Sequence, residues 1–373
     1  MSLPIPSVAE ERIVVRLTDK MRRSAKVPYW FFDFMTDALY EPADGYYRNT
    51  RPKFGAAGDF TTAPLVSAVF GQTISKEIQF LLSQLTQKNV LEFGAGQGHL
   101  CADILSVIGA DIEQYCILEV SSFLIQEQQK TLQKMVPEWA HKVIWVSTLP
   151  EVFVGVIIAN EVLDAMPVHR FCVASDGFLA ERVIWQDGGW QSVWDSAPFW
   201  LEKELKAIEE TLPEPFEVGY QSEFNPWIQP WLKSVGESLL SGAVLLIDYG
   251  FSRREFYHPE RNRGTLMCHY KHHAHTNPFQ YVGIQDITAH VDFTQVAEAA
   301  VEAGFQVMGY ASQAAFLLSV GILKAPSETV VQKQALQMLL MPGEMGDLFK
   351  VILLTKSALK TTGFAIQDDR IRL

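Results

Sequence analysis

The sequence is poor in cysteine, with four in 373 residues (Cys101, Cys116, Cys172 and Cys268) and no Cys-x-x-Cys pair. That scatter excludes a disulfide framework and a thiolate zinc site, and it fits a reducing compartment. Also missing is any apolar run near the roughly 18 residues that a membrane-spanning helix requires. Glu10 and Glu11 stand where a leader would need an apolar stretch, which argues against a signal peptide. Positive charge is scarce: 31 Lys and Arg against 43 Asp and Glu give a net charge of −12. Nothing there balances a phosphate backbone, so no nucleic-acid partner is expected. Internal repeats and low-complexity tracts are absent too. A cytoplasmic protein without a membrane span is expected, and a 48% hydrophobic content is ample for a large core.

Against these absences stands a regular alternation. Residues 1–85 read as helical and aromatic-rich, with an amphipathic helix from about Ser67 to Leu85. From Lys88 onward, short β-branched runs at Val90–Phe93, Tyr115–Leu118, Val143–Val146, Val154–Ala159 and Val244–Ile247 alternate with longer helical segments. Runs this short and apolar suit strands buried on both faces of a parallel sheet. Phe305–Met308 and Phe349–Leu354 would complete seven strands of a doubly wound, mostly parallel α/β sheet. That core is expected over 86–170 and 240–373, with residues 1–85 covering a cofactor. An insertion at 171–239 would hold an antiparallel meander and a Pro- and Trp-rich substrate region, and a second insertion, rich in Arg and His, spans 251–286.

The densest chemical signal follows the first run, where Glu92-Phe93-Gly94-Ala95-Gly96-Gln97-Gly98-His99 joins a strand to a helix. Glycines let a backbone approach a ligand and adopt positive φ. A dinucleotide loop of the G-x-G-x-x-G type needs a third glycine where this chain has His99. The acidic Glu92 sits badly beside a pyrophosphate and well beside a cationic amino-acid moiety. Glu119, closing the second run, stands where a ribose-hydroxyl acceptor belongs. NAD enzymes share that acid, so an oxidoreductase remains the competing reading of these residues, and a ligand-free strand–helix turn is the plain one.

Other segments are distinctive. They are Phe34-Met35 with Ala38-Leu39-Tyr40 and Gly45-Tyr46-Tyr47; Gly58-Asp59-Phe60-Thr61-Thr62-Ala63-Pro64; Asn160-Glu161-Val162-Leu163-Asp164-Ala165-Met166-Pro167-Val168; Ile247-Asp248-Tyr249-Gly250; Gly264-Thr265-Leu266; and Asp286 to Phe293. In this order, and with the glycine loop, they resemble the MidA-like methyltransferases over nearly the whole chain. The resemblance implies a class I methyltransferase fold with lid-like insertions and S-adenosyl-L-methionine as cofactor. Mitochondrial members are complex I assembly factors that methylate an arginine of a respiratory-chain subunit, so it also implies a protein substrate. An assembly module without turnover and a small-molecule methyltransferase are the alternatives.

On this reading Glu92, Gly94, Ala95, Gly96, Gly98 and Glu119 contact the cofactor, and Asp59 or Thr61 its amino-acid end. A guanidinium holds its proton and must be oriented and relieved of it during transfer; carboxylates do both. Glu161 is the expected clamp, with Asp164 assisting from the same face of a helical turn and Asn160 as hydrogen-bonding positioner. Capping by Asp164 and a buried structural Glu161 are the plainer alternative. His269, His272, His273 and His275 lack a completing carboxylate or Cys pattern, so no metal is expected and a substrate-lid role is preferred.

Overall fold

The β-branched runs form strands because only extended backbone buries side chains on both faces at this density. Val90, Leu91, Val156, Ile157 and Ile158 are all fully buried. Each contributes about 1.5–3 kcal/mol of apolar burial. The computed structural model describes residues 4–23, 26, 28–51, 53, 59, 62–324 and 329–373. It divides into two compact units: one of Met1–Phe60, Asp164–Trp227 and Phe251–Val291, the other of Thr61–Leu163, Ile228–Gly250 and Asp292–Leu373. We call them the insertion unit and the sheet unit. Among the described residues no helix is long and apolar enough to cross a membrane.

The sheet unit is built on β1 (Asn89–Phe93), β2 (Gln114–Leu118), β3 (Val143–Val146), β4 (Phe153–Asn160), β5 (Leu239–Phe251), β6 (Gln306–Ser312) and β7 (Phe349–Thr355). Its main path runs β6-β7-β5-β4-β1-β2-β3. The five strands from β5 to β3 are parallel, and β6 and β7 join antiparallel, so the doubly wound α/β expectation holds. The strand order reverses between β1 and β4, the switch point where such sheets bind ligands. Registers align the carboxyl ends: Phe93 pairs with Leu118 and with Ala159, and Asn160 with Ile247. The residues that follow these strands therefore share one sheet edge. The helix Ala68–Leu82 starts where the Ser67 side chain accepts from the Val69 amide, and it buries Val69, Phe70, Ile74, Ile78 and Leu81.

In the insertion unit, His169–Ala174, Gly177–Gln186 and Gly189–Ser196 form the expected antiparallel meander, joined by Gln221–Phe224. The second insertion is more ordered than its composition suggests. Met267–Tyr270 pairs antiparallel with His273–His275 and with Asp286–Thr288. The hairpin turns at Lys271 and His272, whose φ values are 47° and 60°. Two positive φ values are what a type I′ turn requires, normally from Asn and Gly. The histidine cluster thus lies on a hairpin.

Candidate cofactor and acceptor site

The glycine loop leaves β1 with every glycine in left-handed conformation: Gly94 at φ 61°, Gly96 at 52° and Gly98 at 84°. Gly98 is the N-cap of the helix His99–Ile108. A Cβ on it would lie 3.2 Å from the Gln128 backbone, and one on Gly94 would lie 3.2 Å from a Val162 methyl. A side chain at either position faces both strain and crowding, which accounts for the G-x-G-x-G pattern.

Glu119 emerges from β2 one residue past Leu118. Its Oε1 accepts from the amides of Val120 and Ser121 at 2.9 and 2.8 Å. Its Oε2 accepts from Gln128 Nε2 at 3.2 Å, and the same nitrogen lies 2.9 Å from the Gly96 carbonyl. Gln128 thus ties the loop to Glu119, while its Oε1 accepts from Trp145 Nε1 at 2.8 Å. Sequence reasoning missed Gln128. The signal was present: Leu124, Gln128 and Leu132 are the buried residues of the helix Ser122–Met135, spaced four apart. One polar residue breaks that apolar stripe.

Glu92, the acid before the glycine loop, is held inside the sheet unit. It is 2% exposed, and its Oε2 accepts from the Tyr115 hydroxyl at 2.7 Å inside the sheet unit. Burial pushes its carboxyl up to about 7, and neighbouring Asp103 adds to the effect. Ala95 is buried within the loop. Asp59, in the insertion unit, is 1% exposed. It accepts from Arg51 at 2.6 and 2.7 Å, from the Tyr46 hydroxyl at 2.9 Å and from the Lys271 amide at 2.7 Å. Thr61, with Gly58 and Phe60, lies outside the described residues.

At the end of β4, Asn160 Nδ2 donates to Glu161 Oε1 at 3.1 Å. Asn160 Oδ1 is buried without a hydrogen-bond partner. The helical turn expected here does not form. Glu161 has φ 53°, and its amide donates to the Ile247 carbonyl at 2.9 Å. The fully buried Asp248 then accepts from the Val162 and Leu163 amides at 3.1 and 2.9 Å, again through one oxygen. These bonds consume donors that a helix start would leave open, so the chain turns instead of coiling. Asp248, from the Ile247-Asp248-Tyr249-Gly250 segment, shapes this turn. Asp164 opens the next stretch of the insertion unit, buried, with its carbonyl accepting from Ala289 at 3.0 Å. Buried Asp286 there accepts from Tyr47 at 2.9 Å. Its carboxyl is pushed up to about 8, by burial first and by Asp164 second.

The carboxyl edge of the sheet unit thus carries three left-handed glycines, the Glu119 carboxylate and an Asn160 Oδ1 without a hydrogen-bond partner. These groups suit an ammonium and hydroxyls better than a pyrophosphate. Comparison with known proteins agrees. Residues 70–311 match the model of a family described as S-adenosyl-L-methionine-dependent methyltransferases. A Burkholderia thailandensis protein crystallised with S-adenosyl-homocysteine is 36% identical with a TM-score of 0.93, and the match covers 100% of both chains. The mitochondrial protein arginine methyltransferase NDUFAF7 of Xenopus tropicalis is 28% identical over 90% of this chain and 84% of its own. The Homo sapiens protein of that name is 28% identical over 86% and 79%. The frog and human relatives are named mitochondrial, which overturns the cytoplasmic placement expected from the sequence. The chain belongs to the MidA-like family of S-adenosyl-L-methionine-dependent methyltransferases, and S-adenosyl-L-methionine is its cofactor.

Proposed function

We propose that the methyl acceptor is an arginine side chain of a protein, the reaction for which the frog and human relatives are named. The observation that carries this reading is the conformation of Glu161. A non-glycine residue at φ 53° costs about 1–2 kcal/mol. Such strain persists where surrounding bonds over-determine it and recurs at functional sites. Here the Ile247 carbonyl and the Asp248 carboxylate hold the segment.

When bound, the cofactor supplies an electrophilic methyl group on its sulfonium. The protein's part is positioning and charge. The Gly94–Gly98 backbone and Glu119 hold the cofactor. Glu161 accepts from the substrate guanidinium, turns one nitrogen toward the methyl and takes the proton lost as that nitrogen is alkylated. Asn160 Nδ2 fixes the orientation of the Glu161 carboxylate, and Asp164 adds negative charge. A respiratory-chain subunit, the target class of the mitochondrial members, is the first acceptor to try.

The test is labelled methyl transfer to peptides of such a subunit and to lysate proteins, with the methylated residue identified by mass spectrometry. Label on arginine is expected. Glu161→Gln should slow transfer about 100-fold or more with S-adenosyl-homocysteine affinity unchanged. Full activity in that variant would remove the clamp role, and label confined to lysine or to small molecules would remove the arginine assignment.

A further inference from the structure

The Gly264-Thr265-Leu266 motif and His290 have no part in the proposed reaction. Both line one cavity of about 880 Å³ inside the insertion unit. Its wall carries Arg170, Arg261 and Arg263 and no carboxylate, in a chain whose acids outnumber its bases by 43 to 31. The volume falls within the roughly 300–1,000 Å³ typical of small-molecule sites.

The three arginines are not equivalent. Arg170 is committed: it is paired with Glu181, and its Nε lies 3.9 Å from Glu223. Both glutamates are buried, at 1% and 2% exposure, and neither lines the cavity. Glu223 instead fixes the loop by accepting from the Thr265 amide and hydroxyl at 2.8 and 3.0 Å. Gly264, at φ 74°, lets the chain pass, since a Cβ there would sit 2.1 Å from Glu223 Oε1. Arg261 is held differently. Its guanidinium carbon stacks 4.0 Å above the Phe251 ring, and its Nε is buried with no hydrogen-bond partner. Arg263 stands two residues on, exposed at the same wall, with its backbone bridged to Gln221. One guanidinium thus has its face fixed and its Nε without a hydrogen-bond partner, and a second stands nearby. Planar forks in this state receive oxyanions in bidentate fashion.

We propose that this cavity binds a small polyanion through Arg261 and Arg263. Carboxylates and phosphates present the same paired oxygens, and the ligand carries two or more such groups.

The experiment is calorimetric titration of the full chain at low salt with citrate and with pyrophosphate. Acetate serves as the monovalent control, and S-adenosyl-homocysteine binding reports on folding. Saturable binding of citrate, of pyrophosphate or of both is expected, and which one binds identifies the oxyanion class. Arg261→Gln and Arg263→Gln should each weaken it by about tenfold or more, with S-adenosyl-homocysteine affinity unchanged. Arg261→Lys, which keeps the charge and loses the fork, should also weaken it if Arg261→Gln fails to fold. Absence of binding by both probes, equal binding of acetate, or undiminished affinity in the arginine variants overturns the proposal.

Discussion

Two buried carboxylates, one in each unit, are held in opposite ways. Asp59 in the insertion unit faces the full fork of Arg51, with a phenol and a backbone amide besides. Glu92 in the sheet unit receives a phenol, Tyr115, and among the described residues no cation pairs with it. Asp286 shows that the partner and not the unit decides. It lies in the insertion unit with Asp59, yet its side-chain donor is the phenol of Tyr47. Its carboxyl rises to about 8, as that of Glu92 rises to about 7. A phenol satisfies hydrogen-bonding capacity without neutralising charge, so burial dominates. A guanidinium does both.

The largest expected effect comes from breaking the compensated member. Asp59→Ala leaves Arg51 buried with Glu10 as its remaining carboxylate, whose Oε1 is 2.7 Å from Arg51 Nε. Removing one partner of a buried pair costs about 3–5 kcal/mol, and the retained Glu10 places this variant toward the lower end. Urea unfolding of Asp59→Ala measures it. The double variant Arg51→Met with Asp59→Leu should cost less than Asp59→Ala, because Glu10 keeps Lys271 Nζ at 2.9 Å and no charge is left without a counter-ion. A double variant that is the worse of the two would mean that the pair contributes packing and not charge.

The uncompensated member gives a smaller effect, visible through pH. Glu92 has an ordinary value of 4.5 and a folded value of about 7, so between them the folded state holds a proton that the unfolded state has released. Stability is therefore fully present below about 4.5 and is lost as pH rises through about 7. Glu92→Gln cannot ionise. It should be more stable than the parent at pH 8 and flatten the decline between pH 4.5 and 7, measured as melting temperature against pH. A parent that gains stability across that interval, with Glu92→Gln gaining equally, would break the contrast with Asp59.

These partnerships were only partly legible in the sequence. The strands of the main sheet could be read because burial on both faces leaves continuous β-branched runs, and the glycine loop because positive φ selects glycine. Glu92 was visible as an acid beside that loop. That it turns inward to Tyr115 depends on the register of β1 against β2, which places Val90 opposite Tyr115 and Glu92 opposite Ile117. No local pattern encodes that pairing. The hairpin at Lys271 and His272 escaped because its turn lacks the residues that usually announce one. The helix expected at Glu161 failed for a related reason, since the competing acceptors belong to β5, 85 and 86 residues away.

Glu161 provides the smallest expected stability change and separates two kinds of tension. At Glu92 the cost is electrostatic and responds to pH; at Glu161 it is conformational. Glu161→Gly relieves a left-handed residue, worth about 1–2 kcal/mol, and loses about 0.5–1 kcal/mol through the freer unfolded chain. The variant should thus be more stable than the parent by about 0.5–1 kcal/mol, with a pH dependence unchanged in shape, while methyl transfer falls at least as far as in Glu161→Gln. The comparison with Glu161→Gln matters because glutamine keeps the strain and loses only the carboxylate, so its stability should equal the parent's. Chemical denaturation of the three proteins at one pH reads this directly. Equal stability of all three would mean that the bonds from Ile247 and Asp248 make φ 53° as comfortable for glutamate as for glycine. The backbone at the end of β4 would then hold no strain for function to require.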